Sequence, residues 1–225
     1  MVDHNGEKMK VLNLYAGIGG NRKLWEDVEV TAVEIDPKIA AIYSDFFPED
    51  KMVVGDAHQY LLDHYKEFDF IWSSPPCPTH SRIRYFSANL ENNNVEPVYP
   101  DMTLYQEIIF LLNHSSSPFC VENVKPYYEP LIKPSIELGR HLFWSNFMIT
   151  TLRLNDNAQP IQFTDSSVSR YGFDLSGVST GTRKDKILRS LVNPVLGVHI
   201  LDCARGNTQV PLTSFSISKR SGECG

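Results

Sequence analysis

Short apolar runs alternate with amphipathic segments through the first two thirds of the chain. The apolar runs predict β-strands at 10–15, 30–35, 52–54, 68–73, 118–122 and about 141–149. The segments between them predict helices at 21–26, 37–46, 57–65 and 103–113. In the last helix, one apolar face is expected to hold Leu104, Ile108, Leu111 and Leu112. Strands that alternate with helices build a mainly parallel sheet with helices on both faces, so the pattern predicts an α/β fold of the Rossmann-like, doubly wound type.

Two later stretches lack this periodicity. Residues 78–100 are rich in Ser, Asn and Pro, and we expect them to form a mobile lid, because long loops in compact domains are usually functional or disordered. Residues 155–186 are rich in Ser, Thr, Asn, Asp and Gly, which predicts loops and short strands. The tail from Cys203 to Gly225 is expected to be irregular.

The composition is that of a globular protein, with 42% hydrophobic and 21% charged residues in 225 positions. This length suffices for one doubly wound domain with a substantial core. The sequence shows no run of about eighteen apolar residues and no signal peptide, so we expect neither a membrane span nor a cleaved leader. Its four cysteines have no paired spacing, which predicts neither disulfides nor a metal site and suits a reducing cytoplasm.

The net charge of −6 argues against a general affinity for nucleic acid, but the charge is unevenly distributed. Residues 1–74 carry fourteen acidic and seven basic side chains, whereas residues 151–225 carry nine basic and six acidic ones. The basic side chains of the second region include Arg153, Arg170, Arg183, Lys184, Lys186 and Arg189. These are either scattered, solvated charges or the lining of one cleft, where the local field matters more than the net charge.

A glycine-rich turn follows the first predicted strand. Ala16-Gly17-Ile18-Gly19-Gly20 lies between that strand and a helical segment, which is how a nucleotide-binding α/β unit begins. The next two strands end in acids, at Glu34 and at Asp56, where a carboxylate could bind a ribose diol. Because the full G-x-G-x-x-G pattern is missing, an adenosine-bearing ligand is favoured over a dinucleotide. Ordinary turns with solvated acids are the alternative.

A cysteine among prolines, Ser74-Pro75-Pro76-Cys77-Pro78, follows the fourth predicted strand. The prolines fix φ and stiffen the loop, so that Cys77 is aimed, and a cysteine of lowered pKa is the best nucleophile among side chains at neutral pH. The fifth predicted strand ends in a carboxylate, Glu122. A thiol and a carboxyl group at strand ends suggest covalent chemistry on a ring that is held during attack. A lone cysteine near a strand end is more often a packing residue, which is our interpretation of Cys120.

In this order, the elements resemble the cytosine-5 DNA methyltransferases, which use S-adenosylmethionine. The segment 14–20 resembles the family's cofactor loop, with Tyr15 where a Phe is usual. Val33-Glu34-Ile35-Asp36 resembles its ribose-binding segment and Gly55-Asp56 its adenine-binding segment. Ser74-Pro75-Pro76-Cys77 is similar to the nucleophile loop and Val121-Glu122-Asn123-Val124 to the strand that binds the target base. Leu191-Val192-Asn193-Pro194-Val195 resembles the segment that returns to close the cofactor pocket.

The resemblance implies a class I methyltransferase fold and methyl transfer from S-adenosylmethionine to C5 of a flipped cytosine in duplex DNA, through a covalent bond to Cys77. It implies catalytic roles for Cys77, Glu122, Asn123 and Arg140. It implies cofactor contacts from Tyr15, Gly17, Gly19, Gly20, Glu34, Ile35, Asp56, Pro75 and Asn193. Candidates for phosphate or base contacts are Arg82, Arg84, Lys125 and Arg140. No metal is implied, and the expected location is the cytoplasm, or the nucleoid in a bacterial or phage setting.

Two departures from the family pattern bear on substrate recognition. Where the family has a glutamine and two arginines, the polar candidates here are Arg140 and His141. The family also inserts a substantial target-recognition domain, whereas this chain has only residues 148–186 in that place. We therefore expect a catalytic, cofactor-binding domain at 1–147, a reduced target-recognition segment at 148–186 and a return segment at 187–225.

The short recognition segment leaves other functions open. A segment of this length reaches few base edges, so we expect a short, relaxed target site or the help of an accessory recognition protein. The alternatives are methylation of RNA or of a nucleotide-level cytosine, and a partner-dependent subunit that is not active on its own.

Overall fold

The central sheet is built from the apolar runs. The computed structural model describes residues 7–88, 96, 98–152, 171–175, 184, 187 and 191–206. Within them, one sheet contains β1 (Met9–Leu14), β2 (Val28–Glu34), β3 (Lys51–Val54), β4 (Phe70–Ser73), β5 (Phe119–Val124), β6 (Ile136–Leu138) and β7 (His141–Ser145). The helices are α1 (Pro37–Phe46), α2 (Ala57–His64), α3 (Arg82–Ala88), α4 (Thr103–His114) and α5 (Pro194–Ala204). Two 3₁₀ turns lie at Arg22–Leu24 and Tyr65–Glu67.

The strand order β3-β2-β1-β4-β5-β7-β6 brings the ends of the parallel strands together. β1 to β5 are parallel, while β7 pairs antiparallel with both β5 and β6. Leu14 of β1 is in register with Val33 of β2 and Ser73 of β4. The order reverses between β1 and β4, and this switch point is where open α/β sheets bind ligands. The topology confirms the predicted Rossmann-like, mostly parallel fold.

Both faces of the sheet are buried. Successive side chains of a strand point to opposite faces, and accordingly Val11 and Leu12 of β1 belong to different apolar clusters. α5 packs in the first cluster through Leu196, Ile200 and Leu201, and α4 packs in the second through Leu104, Ile108 and Leu111. Full burial of such a side chain contributes about 1.5–3 kcal/mol. The strand ends that carry the candidate site are therefore set in a well-packed frame.

Two details of the predicted elements are wrong. Instead of a helix at 21–26 there is one 3₁₀ turn, after which Trp25 is extended and packs against Phe70 and Trp72 in the core. Leu112 is 50% exposed and so does not belong to the buried face of α4, whose apolar members are Leu104, Tyr105, Ile108 and Leu111.

Three elements were not predicted. α3 lies inside the stretch expected to be a lid, and the three residues of β6 are too few to show a period. α5 begins before the tail that was expected to be irregular. Its last two residues, Cys203 and Ala204, belong to that tail. Its start signal was present in the sequence, since Asn193 caps the helix and Pro194 occupies its first turn.

Much of the expected recognition segment and tail lies outside the described residues, including 153–170, 176–183 and 207–225. β7 ends at Ser145, four residues before the predicted boundary. In the described part of the chain, none of the helices has the length and apolar character needed to cross a membrane.

Candidate active site

The loop that carries Cys77 is fixed to the sheet at its start. Ser74 donates its backbone N–H to the Leu14 carbonyl at 3.3 Å, and its hydroxyl donates to Glu122 Oε2 at 2.8 Å. The same hydroxyl accepts a hydrogen bond from Trp72 Nε1 at 2.8 Å. A serine hydroxyl has one proton to donate, so the bond from Trp72 directs that proton toward Glu122. β4, the loop that carries Cys77 and β5 are thus joined around one side chain.

Asn123 holds the next part of the loop. This side chain is 1% exposed and donates from Nδ2 to the Pro75 carbonyl at 2.9 Å. Its Oδ1 accepts the backbone N–H of Val124, also at 2.9 Å. Glu122 and Asn123 are consecutive residues of β5, and the Asn123 side chain binds the loop that contains Cys77. These two backbone contacts fix the Asn123 side chain beside the loop.

The chain beyond Cys77 turns sharply and packs along the segment after β5. The Cys77 carbonyl accepts backbone N–H groups from His80 at 3.0 Å and Ser81 at 3.1 Å. Arg82, at the start of α3, donates from Nε to the Pro126 carbonyl at 3.0 Å. The Tyr85 and Tyr127 rings stack with centroids 4.5 Å apart. Both sides of Cys77 are thus supported by β5 and its continuation.

Glu122 is a buried carboxyl group with an altered acidity. It is 6% exposed, and burial raises its pKa to about 7, although the Ser74 hydrogen bond and the Arg140 charge oppose the rise. A carboxyl group of this pKa keeps its proton in a large fraction of molecules near neutral pH. It can therefore donate a hydrogen bond to a base as well as accept one.

Arg140 and His141 supply the remaining polar groups. Burial, together with the Arg140 charge, lowers the pKa of His141 to about 3, so its imidazole is neutral. Arg140 Nε donates a hydrogen bond to His141 Nε2 at 3.2 Å, so this ring nitrogen is an acceptor and carries no proton. It therefore cannot form an ion pair with Glu122 Oε1, which lies 3.7 Å away. The cationic group acting on the site is therefore Arg140.

The surroundings of the Cys77 thiol raise its pKa. Burial and then the Glu122 charge raise this pKa to about 11, while Arg140 lowers it. Since one of the two raising causes is the ionised Glu122, protonation of that carboxyl group makes the thiolate easier to form. The protonation state of Glu122 therefore affects the acidity of the Cys77 thiol.

The glycine turn after β1 needs its glycines for close packing. A Cβ on Gly19, whose φ is 83°, would lie 2.3 Å from the Phe47 ring. A Cβ on Gly20 would lie 2.7 Å from the Val192 carbonyl oxygen, so this glycine admits the segment before α5 to the turn. Gly17 has open space around its Cβ position. The turn is therefore packed on one side and open at Gly17.

The acids at the ends of β2 and β3 are held in fixed positions. Glu34 accepts the backbone N–H of Gly17 through Oε2 and that of Asp36 through Oε1, both at 3.0 Å. Asp56 Oδ1 accepts the backbone N–H groups of His58 and Gln59 and so caps α2. Both oxygens of Glu34 and the Oδ2 of Asp56 can accept a further hydrogen bond, which leaves capacity for a diol or an exocyclic amine.

An exposed apolar residue completes this side of the site. Ile35, between Glu34 and Asp36, is 69% exposed, which offers an apolar surface to a flat ring. Asn193 instead uses Oδ1 to accept the Val195 N–H at 3.0 Å as the cap of α5. The open turn at Gly17, the two fixed carboxylates and Ile35 fit an adenosine-bearing cofactor such as S-adenosylmethionine.

Sequence reasoning missed a buried acid beside this loop. Glu107 of α4 is 0% exposed and accepts hydrogen bonds from the Tyr15 and Ser73 hydroxyls. A signal was present, because Glu107 falls on the apolar face of α4 between Leu104 and Ile108, where a charged residue is unusual. Tyr15 itself has φ of 55°, a left-handed conformation that costs a non-glycine residue about 1–3 kcal/mol.

Other candidates lie away from these contacts or outside the described residues. Lys125 pairs with Glu137 at 2.6 Å on the surface. Arg84 belongs to α3, and its Nε is buried without a hydrogen-bond partner in the described part of the chain. Of the six basic residues named above as scattered charges or the lining of one cleft, only Lys184 is described; Arg153, Arg170, Arg183, Lys186 and Arg189 lie outside the described residues.

A comparison with protein families identifies the family of the chain. The family model of C-5 cytosine-specific DNA methylases matches residues 9–130, which include the glycine turn, Glu34, Asp56, Cys77 and Glu122. A comparison with curated protein sequences found no match.

The chain also shows likenesses to solved structures. A mutant of DNMT2 from Spodoptera frugiperda is 28% identical, with 52% of this chain and 36% of that chain covered and a TM-score of 0.38. A SAM-dependent methyltransferase from Agrobacterium tumefaciens is 15% identical, with 56% and 42% covered and a TM-score of 0.35. The methyltransferase EhMeth from Entamoeba histolytica is 19% identical, with 52% and 38% covered and a TM-score of 0.34. In each case the chain spans less than half of the other protein's length, and at these TM-scores only the family match supports a conclusion.

Proposed function

Since the chain belongs to the family of C-5 cytosine-specific DNA methylases, whose cofactor is S-adenosylmethionine, we propose that it methylates C5 of a flipped cytosine in duplex DNA. The observation that carries the proposal is the shared support of Cys77 and Glu122. Ser74 bonds to Glu122, and Asn123 bonds to the Pro75 carbonyl, so nucleophile and carboxyl group are held on one framework. Within this proposal, residues 1–147 and 187–225 form the catalytic domain and 148–186 the recognition segment.

The chemistry begins with activation of the ring. Cys77 loses its thiol proton to solvent water, the resulting thiolate forms a bond to C6 of cytosine, and the ring electrons move toward C5 and N3. Protonated Glu122 donates its proton to N3 and so neutralises the charge that develops there. The pKa of Glu122 is raised to about 7, so this group is still protonated in a large fraction of molecules near neutral pH and can act as the proton donor. An ordinary carboxyl group would already have lost its proton at that pH.

The methyl group then reaches the activated carbon. S-adenosylmethionine supplies an electrophilic methyl group, and C5 bonds to it as the methyl–sulfur bond breaks. Loss of the C5 proton to a base restores the double bond, the C6–sulfur bond breaks, and Cys77 leaves as a thiolate. Glu122 takes back the N3 proton. Glu34, Asp56 and Ile35 would hold the adenosine part of the cofactor during these steps.

The target carbons of a paired cytosine are inside the helix, so the base must be flipped out at a cost of a few kcal/mol. We place the stretch 78–100, including α3, over the flipped base, where it would exclude water. Arg82, Arg84 and Arg140 are the cationic side chains that this part of the site offers to phosphate. An accessory recognition protein would compensate for the short segment 148–186.

A direct test supplies labelled S-adenosylmethionine and offers duplex DNA, single-stranded DNA, RNA and dCTP in parallel. We expect label in 5-methylcytosine of duplex DNA, with weaker or no labelling of the other three. Label in RNA alone would contradict the proposed substrate while keeping the chemistry. A protein that binds the cofactor but labels none of the four, even with added cell extract as a source of a partner, would contradict the proposed function.

A further inference from the structure

The buried carboxyl group of Glu107 joins two elements of the site. Its Oε1 accepts a hydrogen bond from the Tyr15 hydroxyl and its Oε2 accepts one from the Ser73 hydroxyl. His58 Nδ1 lies 3.5 Å from Oε1. Glu107 itself comes from α4, an element that carries none of the predicted site residues.

Fold stability does not account for a carboxyl group at this position. Burying it removes water from a polar group, and burial accordingly raises the pKa of Glu107, while the hydrogen bonds from Ser73 and Tyr15 oppose the rise. If apolar groups also replaced the Tyr15 and Ser73 hydroxyls, an apolar side chain of similar volume would fill the space among Leu104, Ile108 and Leu111 without that cost, and such combined replacements are often neutral or stabilising. What the carboxyl group adds is a directed link between its partners.

Each partner belongs to a functional element. Tyr15 begins the glycine turn in a left-handed conformation that needs support from its surroundings. Ser73 directly precedes Ser74, whose hydroxyl bonds to Glu122. His58 lies in the first turn of α2, where its N–H bonds to Asp56 at 2.8 Å. One carboxyl group therefore contacts the cofactor turn, the strand of the nucleophile loop and the helix that follows the adenine-binding acid.

We infer that Glu107 is a positioning residue that sets the cofactor turn, through Tyr15, against the nucleophile strand, through Ser73. The inference rests on the proposed function, because only that function requires the methyl donor and the Cys77 loop to be aligned. Tyr15, Asp56, Asp101 and His58 are the titratable groups that act on this cluster. The link consists of two hydrogen bonds to one carboxylate, and each can be removed separately.

Removing each of the two hydrogen bonds should impair a different property of the enzyme. Tyr15→Phe keeps the ring and should weaken S-adenosylmethionine binding about ten-fold, the lower range for a hydrogen bond to a charged group, with little effect on Cys77 adduct formation at saturating cofactor. Ser73→Ala should slow adduct formation on 5-fluorocytosine DNA about ten-fold while the cofactor affinity stays within about two-fold. Calorimetry measures the affinity, and denaturing gels measure the adduct rate.

Glu107→Leu should show both losses, and in that background Tyr15→Phe and Ser73→Ala should each have little further effect. Glu107→Gln, whose amide can accept from one hydroxyl and donate to the other, should recover part of both. Gln106→Leu, the exposed neighbour on the same helix, is the matched control and should behave as wild type. Thermal unfolding establishes that each variant is folded.

A folded Glu107→Leu variant with wild-type affinity and adduct rate would overturn the inference. So would equal losses of both quantities in Tyr15→Phe and in Ser73→Ala, since a general loss of packing moves both together. If Glu107→Leu does not fold, the two single variants decide the matter. If the wild-type protein forms no adduct, the proposed function fails, and an unchanged cofactor affinity in Tyr15→Phe would still overturn this inference separately.

Discussion

Replacement of Cys77 by serine is expected to abolish methyl transfer to DNA. A serine hydroxyl has nearly the same size as the thiol but is a far weaker nucleophile without an adjacent base to activate it, so the C6 bond does not form. Cys77 belongs to the loop after β4 and not to the glycine turn, so the variant should retain its affinity for S-adenosylmethionine. Transfer of labelled methyl groups to duplex DNA, with calorimetry for the cofactor, measures both properties.

Glu34→Ala is expected to do the reverse of Cys77→Ser: it should weaken cofactor binding and leave the Cys77 chemistry intact. It removes the carboxylate that accepts the Gly17 and Asp36 N–H groups, and cofactor binding should weaken by about 1–3 kcal/mol. At saturating cofactor it should still form the Cys77 adduct. Methyl transfer that persists in Cys77→Ser would remove this residue from the mechanism, and unchanged affinity in Glu34→Ala would remove Glu34 from the cofactor site.

Glu122→Gln is expected to lower kcat by at least about 100-fold, the range for loss of a general acid. The amide can still accept from Ser74 and donate to the base, so the flipped cytosine should bind, but it cannot transfer a proton to N3. The loss should therefore fall on kcat more than on KM. Single-turnover methyl transfer with pre-bound DNA separates the two quantities.

The same substitution should change how folding depends on pH. The pKa of Glu122 is raised to about 7 in the folded chain, against about 4.3 for an ordinary glutamate. The folded state thus binds this proton more tightly, and the stabilisation present below about pH 4 is lost as the pH rises through 7. Glutamine does not titrate. Near pH 4, Glu122→Gln should therefore be no more stable than wild type. At pH 8, its free energy of unfolding should exceed that of wild type by up to roughly 3 kcal/mol.

Urea unfolding of both proteins at several pH values measures this difference. Asp63→Asn, an exposed acid on α2, serves as the control and should follow the wild-type curve. A difference between wild type and Glu122→Gln that stays constant from pH 4 to pH 8 would show that Glu122 has an ordinary pKa.

The fold could be predicted from the sequence because its strands are buried on both faces. Strands such as β4 then appear as short apolar runs, and a glycine turn or an acid at the end of a run marks the sheet edge where ligands bind. The antiparallel β6 leaves no such trace, since a three-residue strand has too few positions to show a period. The helix α5 had a clear start at Asn193 and Pro194, but its residues were divided between the return segment and an assumed irregular tail.

The residues of the site could be predicted, but not the contacts that tune them. Cys77 and Glu122 stand at strand ends that the sequence already marks. The pKa of Cys77 is raised by burial and by the Glu122 charge, and that of Glu122 by burial, which depends on β4 and β5 being neighbours. The bonds of Ser74 to Glu122 and of Asn123 to Pro75 each join residues 48 positions apart. Glu107 shows the same limit, because only the packed helix reveals that it contacts Tyr15 and Ser73.

The central claim is that Cys77 bonds to the cytosine ring during methyl transfer. Duplex DNA in which 5-fluorocytosine replaces cytosine tests this directly, because fluorine cannot leave as a proton does and the adduct is trapped after the methyl group has moved. With S-adenosylmethionine present, we expect mass spectrometry of the digested complex to find the methylated nucleotide on the peptide that contains Cys77. An adduct on Cys120 or Cys203, or no adduct from protein that methylates ordinary DNA, would contradict the account.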